Sequence, residues 1–246
     1  MKLGNALRYA KIGLREAMFT LRTNIFMIAA MSVFVIIYFP VITYNMLNSE
    51  SLALLPNEAK LEIILPSISI NSLLVSLFIS IIASAMIEED RFTRVFEYLM
   101  AYSLYTAGGF LLIKMLTAIV IGFVVAVPYA IVAYIILNMV ISVSPLLLIW
   151  LILSLLISIA SLTLLIVLVT LVLEPKHASI MRYAILIVAM MALYNYARQS
   201  KQALDISTLA SKIVGPLYIV SLIGLAAFII LYYIYRDRIV ELALRW

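Results

Sequence analysis

The sequence contains no cysteine and a single histidine, His177. The first absence excludes disulfides, thiolate metal sites and a cysteine nucleophile. The second excludes zinc sites built on several imidazoles and a bis-histidine haem. Charge is scarce as well. Only 12% of the 246 residues are Asp, Glu, Lys or Arg, against about 25% in an ordinary soluble domain. No GxxxxGK[ST] run occurs, so the chain holds no P-loop for ATP. No Asp, Glu, Lys, Arg or His falls at the centre of a long apolar stretch. Ion-driven carriers usually keep ionisable groups near the bilayer midplane. An intramembrane protease or a lipid phosphotransferase needs carboxylates, histidine or a nucleophile dyad. No catalytic constellation is visible, and the expectation is a chain that is not an enzyme and holds no metal or cofactor of its own.

What the sequence does have is apolar surface. Hydrophobic residues make up 66% of it, and a soluble fold of this size cannot hide that much from water. A disordered chain needs the opposite composition. The expected class is an all-α polytopic membrane protein. Six stretches reach the roughly 20 apolar residues that a spanning helix needs: 25–47, 67–87, 110–137, 146–173, 180–197 and 214–235. Pro40 and Pro128 lie inside spans and are expected to kink them. Many tyrosines fall near span ends, as interfacial belts do.

Lysine and arginine divide unequally between the two sides. Thirteen sit in the N-terminal segment, after spans two and four, and in the tail, while Lys60, Arg198, Lys201 and Lys212 lie opposite. The positive-inside rule then places both termini in the cytoplasm of a cell (plasma or inner) membrane protein, which an even number of spans permits. The N-terminal region is too long and too basic for a cleaved signal peptide. The expected organisation is one transmembrane domain, 1–246. It comprises an amphipathic helix over 1–24, a six-span bundle over 25–236 and a cytoplasmic tail over 237–246.

Residues 3–22 have helical spacing without span character. Leu3, Leu7, Ala10, Leu14, Ala17, Met18 and Leu21 recur at steps of three and four, with Arg8, Lys11, Arg15 and Arg22 beside them. This predicts an interfacial helix on the inner leaflet, its basic face toward anionic headgroups. Asn5 is a candidate N-cap.

Residues 86–116 are the most informative run. Glu88, Glu89 and Asp90 are consecutive, so a helix fans them apart by about 100° each and they do not converge on one ion. Phe92, Val95, Phe96, Leu99 and Met100 form an apolar stripe, with Arg94, Glu97 and Tyr98 offering polar contacts. A short amphipathic helix between two spans is a natural docking surface. Gly108 and Gly109 are expected to allow a sharp reversal into span three.

This run resembles the permeases of type-2 exporters among the ATP-binding cassette transporters. That family shows an acidic residue after span two, a Glu-Leu-Leu-like stretch, a small turn, and Gly-Lys opening span three. Here Glu89 matches the first position and Glu97-Tyr98-Leu99-Met100 the second, Ser103 stands near the usual proline, and Ile113-Lys114 replaces Gly-Lys. The amphipathic first helix, six spans, inside termini and a polar segment before span six extend the resemblance to the whole chain.

The resemblance implies a permease subunit that forms half of a translocation pathway and pairs with a second permease, as a homo- or heterodimer. A separate cytosolic ATPase subunit would bind ATP and magnesium. The coupling helix between spans two and three would dock that ATPase through Arg94, Phe96, Glu97, Leu99, Met100 and Tyr102, with Glu89 and Lys114 as family-motif positions. Lys114 by itself reads as a lysine snorkelling to the interface. A Ser/Thr-dotted apolar pathway fits an amphipathic or lipid-like cargo. Membrane lipid is a further expected partner, and nucleic acid is not. Two other readings of the same residues stay open: a non-transporting docking, assembly or immunity subunit, and a secondary carrier binding sodium through backbone carbonyls.

Overall fold

The computed structural model describes residues 3–23, 56–92, 107–173 and 206–236 continuously, and 26, 29–30, 33, 177–178, 180–181, 183–185, 187–188, 191, 238–239 and 241 between and beyond them. The elements are α1 (Leu3–Thr23), α2 (Asn57–Phe92), α3 (Ala107–Val140), α4 (Leu146–Val172) and α5 (Ile206–Tyr235), and no strand occurs among the described residues. Continuous helix is what a bilayer demands, because every backbone N–H and C=O must find its partner within the segment.

Four of these helices are long and apolar enough to cross a membrane, over Ala59–Ala85, Gly108–Val140, Leu146–Val172 and Ile213–Tyr235. They match the second, third, fourth and sixth expected spans. The first and fifth, 25–47 and 180–197, fall largely outside the described residues. Pro128 lies inside α3 as expected, whereas Pro40 is outside the described residues.

One boundary differs from the sequence expectation. Residues 57–66 read as an outer loop, because Glu58, Lys60, Glu62 and Pro66 interrupt them, yet α2 begins at Asn57 and runs through Pro66. Leu61, Ile64, Leu65 and Ile68 are buried in the main core and hold this stretch helical against its weak local preference. Helix α5 runs unbroken through Pro216, joining the end of the polar segment, for which the sequence has helical potential, to the last span. With 36 and 34 residues, α2 and α3 measure about 50 Å or more, well beyond a hydrocarbon core of about 30 Å. Both therefore extend past the membrane or tilt within it.

Contacts between side chains set the helix directions. Tyr129 of α3 donates to the Ile68 carbonyl at 2.9 Å and accepts from Ser72 at 3.3 Å. Further along, Gly122 of α3 meets Ile159 of α4, whose carbonyl accepts from Ser80 of α2 at 3.4 Å. As α2 advances from 72 to 80, α3 retreats from 129 to 122, so the two are antiparallel. The connection of α3 to α4 is short and tied down, with Tyr134 donating to the Val143 carbonyl and the Val143 amide to Asn138 Oδ1.

Helices α4 and α5 behave differently. Ser161 donates to the Ser221 carbonyl at 2.6 Å, and ten residues on, Leu168 and Leu171 share a cluster with Phe228, Leu231, Tyr232 and Tyr235. These contacts advance together, so α4 and α5 run in the same direction. Leu173 and Ile206 therefore stand at opposite ends of the bundle.

The core is not held by apolar side chains alone. Lipid tails are as apolar as leucine, so spanning helices associate through close packing and hydrogen bonds. Ser72, Ser76, Ser80 and Ser84 recur every fourth residue along α2, all fully buried. Ser76 and Ser80 donate back to the carbonyls of Ser72 and Ser76, and Thr163 of α4 donates to the Ser80 hydroxyl at 3.1 Å. Small hydroxyl side chains that satisfy themselves on their own helix let α2 and α4 approach closely.

Candidate functional site

Of the expected docking residues, Arg94, Phe96, Glu97, Leu99, Met100 and Tyr102 lie outside the described residues. The two helix ends that flank them are described. Glu89 is in the last turn of α2, and α3 begins at Ala107. Gly108 and Gly109 are part of α3 rather than of a turn before it. The role of Gly109 is close approach: a Cβ there would stand 2.5 Å from the Tyr9 ring of α1. Only glycine leaves room for that aromatic ring.

Around this contact α1 docks along the start of α3. Gly13 lies against Ile113 and Leu116, where an added Cβ would come within 3.1 Å of the Leu116 Cβ. Thr117 donates to the Gly13 carbonyl at 3.2 Å. Contacts advance from Tyr9–Gly109 to Gly13–Thr117, so α1 and α3 run side by side in the same direction. The buried face of α1 is Tyr9, Gly13, Ala17 and Thr20. The face that packs on α3 is therefore not the Leu/Met stripe that the helical spacing singled out. Leu14 and Met18 are exposed, and among the described members of that stripe only Ala17 and Leu21 turn inward. The small-residue spacing at 13, 17 and 20 was the signal, and it outweighed the larger apolar side chains because it permits backbone approach.

Lys114 sits within this interface and is 2% exposed. It does not snorkel to the interface. Its ammonium pairs with Glu16 of α1 and lies 5.2 Å from the centroid of the Phe110 ring. Glu16 is the single acidic residue of α1. Desolvation makes an ammonium expensive in an apolar bundle, so a charge partner and an aromatic face are the conditions under which it persists. Sequence reading missed Glu16 because the helical wheel was sorted into apolar and basic sets only.

The same end of the bundle collects other basic groups. Phe110 and Leu111 of α3 cluster with Leu168 and Leu171 of α4 and with Ile239. Arg236 stacks on Tyr233 with its guanidinium 5.1 Å from the ring centroid. Lys60 belongs to the first turn of α2, at the opposite end.

The serine rows face inward. Ser154, Ser158, Ser161, Thr163 and Thr170 of α4 are buried within this chain, as is Ser221 of α5. They therefore line helix–helix seams rather than a route through the described bundle. Ser158 differs from its neighbours, since its buried hydroxyl has no hydrogen-bond partner. Replacing it removes an unsatisfied polar group at little loss of volume. Ser158→Ala should leave detergent thermal stability unchanged or raise it by up to about 1 kcal/mol, whereas the bonded Ser161→Ala should lower it. Thermal unfolding of the two variants side by side checks this.

No group of three or more His, Asp or Glu side chains able to hold a metal occurs among the described residues. Comparison with known proteins gives no matching family model, no matching curated relative and no matching solved structure.

Proposed function

We propose that this chain is the membrane-spanning permease subunit of an ATP-binding cassette transporter of the exporter type. In this reading it forms half of a translocation pathway, pairs with a second permease and is driven by a separate cytosolic ATPase that binds ATP and magnesium. The observation that carries the reading is the place where α1 is clamped. It grips the first turns of α3, next to the 91–107 segment that resembles the coupling helix, through Gly13, Gly109 and the Lys114–Glu16 pair. A pull on that segment acts on the last turn of α2 and on α1 and α3 together, so a docked ATPase has a rigid lever into the bundle.

Topology supports the same reading. Because α4 and α5 run in the same direction, Leu173 and Ile206 stand at opposite ends of the bundle, which favours the expected fifth span between them. The reading takes the expected first and fifth spans to complete six, with both termini at the basic end. The positive-inside rule makes that end cytoplasmic. Since the buried hydroxyls belong to internal seams, the transport route is assigned to the contact between two permease copies.

Co-purification of the chain with a cassette ATPase encoded beside its gene tests the proposal. The wild type should retain the ATPase, and ATP hydrolysis should appear only with that subunit present. Phe96→Ala should weaken the association by roughly 2–4 kcal/mol, as loss of a buried aromatic anchor does. Glu97→Lys should weaken it less and in a salt-dependent way. An ATPase that binds Phe96→Ala as firmly as the wild type would remove the docking assignment.

A further inference from the structure

We infer that the outward face of α1 is a binding surface for the anionic phospholipid headgroups of the surrounding leaflet. Two observations combine to produce it. The face of α1 that carries Tyr9, Gly13, Ala17 and Thr20 is closed against α3. Lys11, Arg15 and Arg22 point the other way and are exposed. At about 100° per residue these three lie within roughly 40° of one another, opposite Gly13, and form a stripe about 16 Å long. Secondly, the single acid of α1 is withdrawn from that face, because Glu16 is turned inward to Lys114. The exposed stripe is therefore cationic without any neutralising carboxylate of its own helix.

Its borders are apolar. Leu14 is 53% exposed and Met18 61% on one side, and Phe19 is 67% exposed on the other. A basic stripe between exposed apolar side chains matches a headgroup layer over acyl chains, in which long cationic side chains reach phosphate and their flanks contact hydrocarbon. The position agrees. The helix stands beside the first turns of α3, itself a helix long and apolar enough to span the bilayer, so its free side faces the leaflet rather than the bundle. An acidic protein surface would complement the three charges but not the wide apolar borders. The Lys114–Glu16 pair thus has a second consequence, since it holds the single carboxylate of α1 away from the lipid. This inference stands whether or not the chain is a permease.

Each basic side chain near an anionic surface contributes enough that removing three should weaken binding on the order of a hundred-fold. The test uses the full chain purified in detergent and stripped of lipid, titrated with phosphatidylglycerol or phosphatidylcholine and read by native mass spectrometry. The wild type should hold phosphatidylglycerol in preference to phosphatidylcholine. Lys11→Gln/Arg15→Gln/Arg22→Gln should lose that preference, and Arg236→Gln/Arg238→Gln should keep most of it. Unfolding of the triple variant without lipid should match the wild type, because all three side chains are exposed. A measurement needing no variant runs beside it: raising salt from about 0.15 M to about 1 M, where screening acts within about 3 Å, should release phosphatidylglycerol from the wild type. Equal retention by the triple variant, equal binding of both lipids or salt-insensitive binding would each overturn the inference. So would loss of an acidic protein partner in the triple variant with phosphatidylglycerol binding unaltered.

Discussion

Glu16→Ala is expected to destabilise the chain by about 3–5 kcal/mol, and Lys114→Met by only about 1 kcal/mol. The two partners of the ion pair are not buried alike. Lys114 is 2% exposed and Glu16 22%. Removing the carboxylate takes the counter-charge from an ammonium that is almost fully buried, and the Phe110 face is weaker than that charge. Removing the ammonium leaves a carboxylate that reaches water by a small rotation, and methionine refills most of the lysine stem's volume. The double variant Glu16→Ala/Lys114→Met should recover most of the loss, since replacing both members of a buried pair by apolar groups is often neutral. Thermal unfolding in detergent reads all three. If Glu16→Ala unfolds with the wild type, the Lys114 ammonium finds water or a headgroup unaided, and the pair does not clamp α1.

The second large effect is expected in the serine row of α2. Ser80→Leu should cost about 3–5 kcal/mol, while Ser80→Ala should cost about 1 kcal/mol or less. Hydrogen bonds between spanning helices average about 0.6 kcal/mol, so losing the hydroxyl alone is a small change. The leucine adds three carbons to a position with no exposure, where the Ser80 hydroxyl accepts from Thr163 at 3.1 Å and donates to the Ser76 and Ile159 carbonyls. It forces α2 and α4 apart and strands the Thr163 hydroxyl, adding an overpacking cost to an unsatisfied donor. Val124 of α3 is 46% exposed on the outer surface, and Val124→Leu there should be neutral. Equal costs for Ser80→Ala and Ser80→Leu would mean that the seam is held by hydrogen bonds and not by close approach.

Composition and hydrophobic run length decided the class of this protein without any coordinates. A chain that is 66% hydrophobic in runs of about 20 residues crosses lipid as helices, since a barrel strand is shorter and alternates apolar with polar residues. The third and fourth spans were legible to within a few residues, because Gly108, Val140 and Pro145 bound long runs that Lys114 alone interrupts with a charge. The start of α2 was not legible. Glu58, Lys60, Glu62 and Pro66 are local signals for a loop, and only burial of Leu61, Ile64 and Leu65 by other helices overrides them.

The face of α1 was decided by tertiary structure for a related reason. A helical wheel ranks side chains by hydrophobicity, which favoured Leu14 and Met18. Next to lipid that ranking separates nothing, since acyl chains accept those side chains as readily as a neighbouring helix does. What distinguishes a helix partner is how near its backbone can come, and that selected Gly13, Ala17 and Gly109. The pairing of Lys114 with Glu16 is of the same kind. Ninety-eight residues separate the two in sequence, and no spacing rule connects them. Sequence alone therefore established that the chain belongs in a membrane as helices, since that depends on each residue's affinity for water. Which helix faces touch and which charges meet depends on distances between residues far apart in the chain, and only the folded bundle contains those.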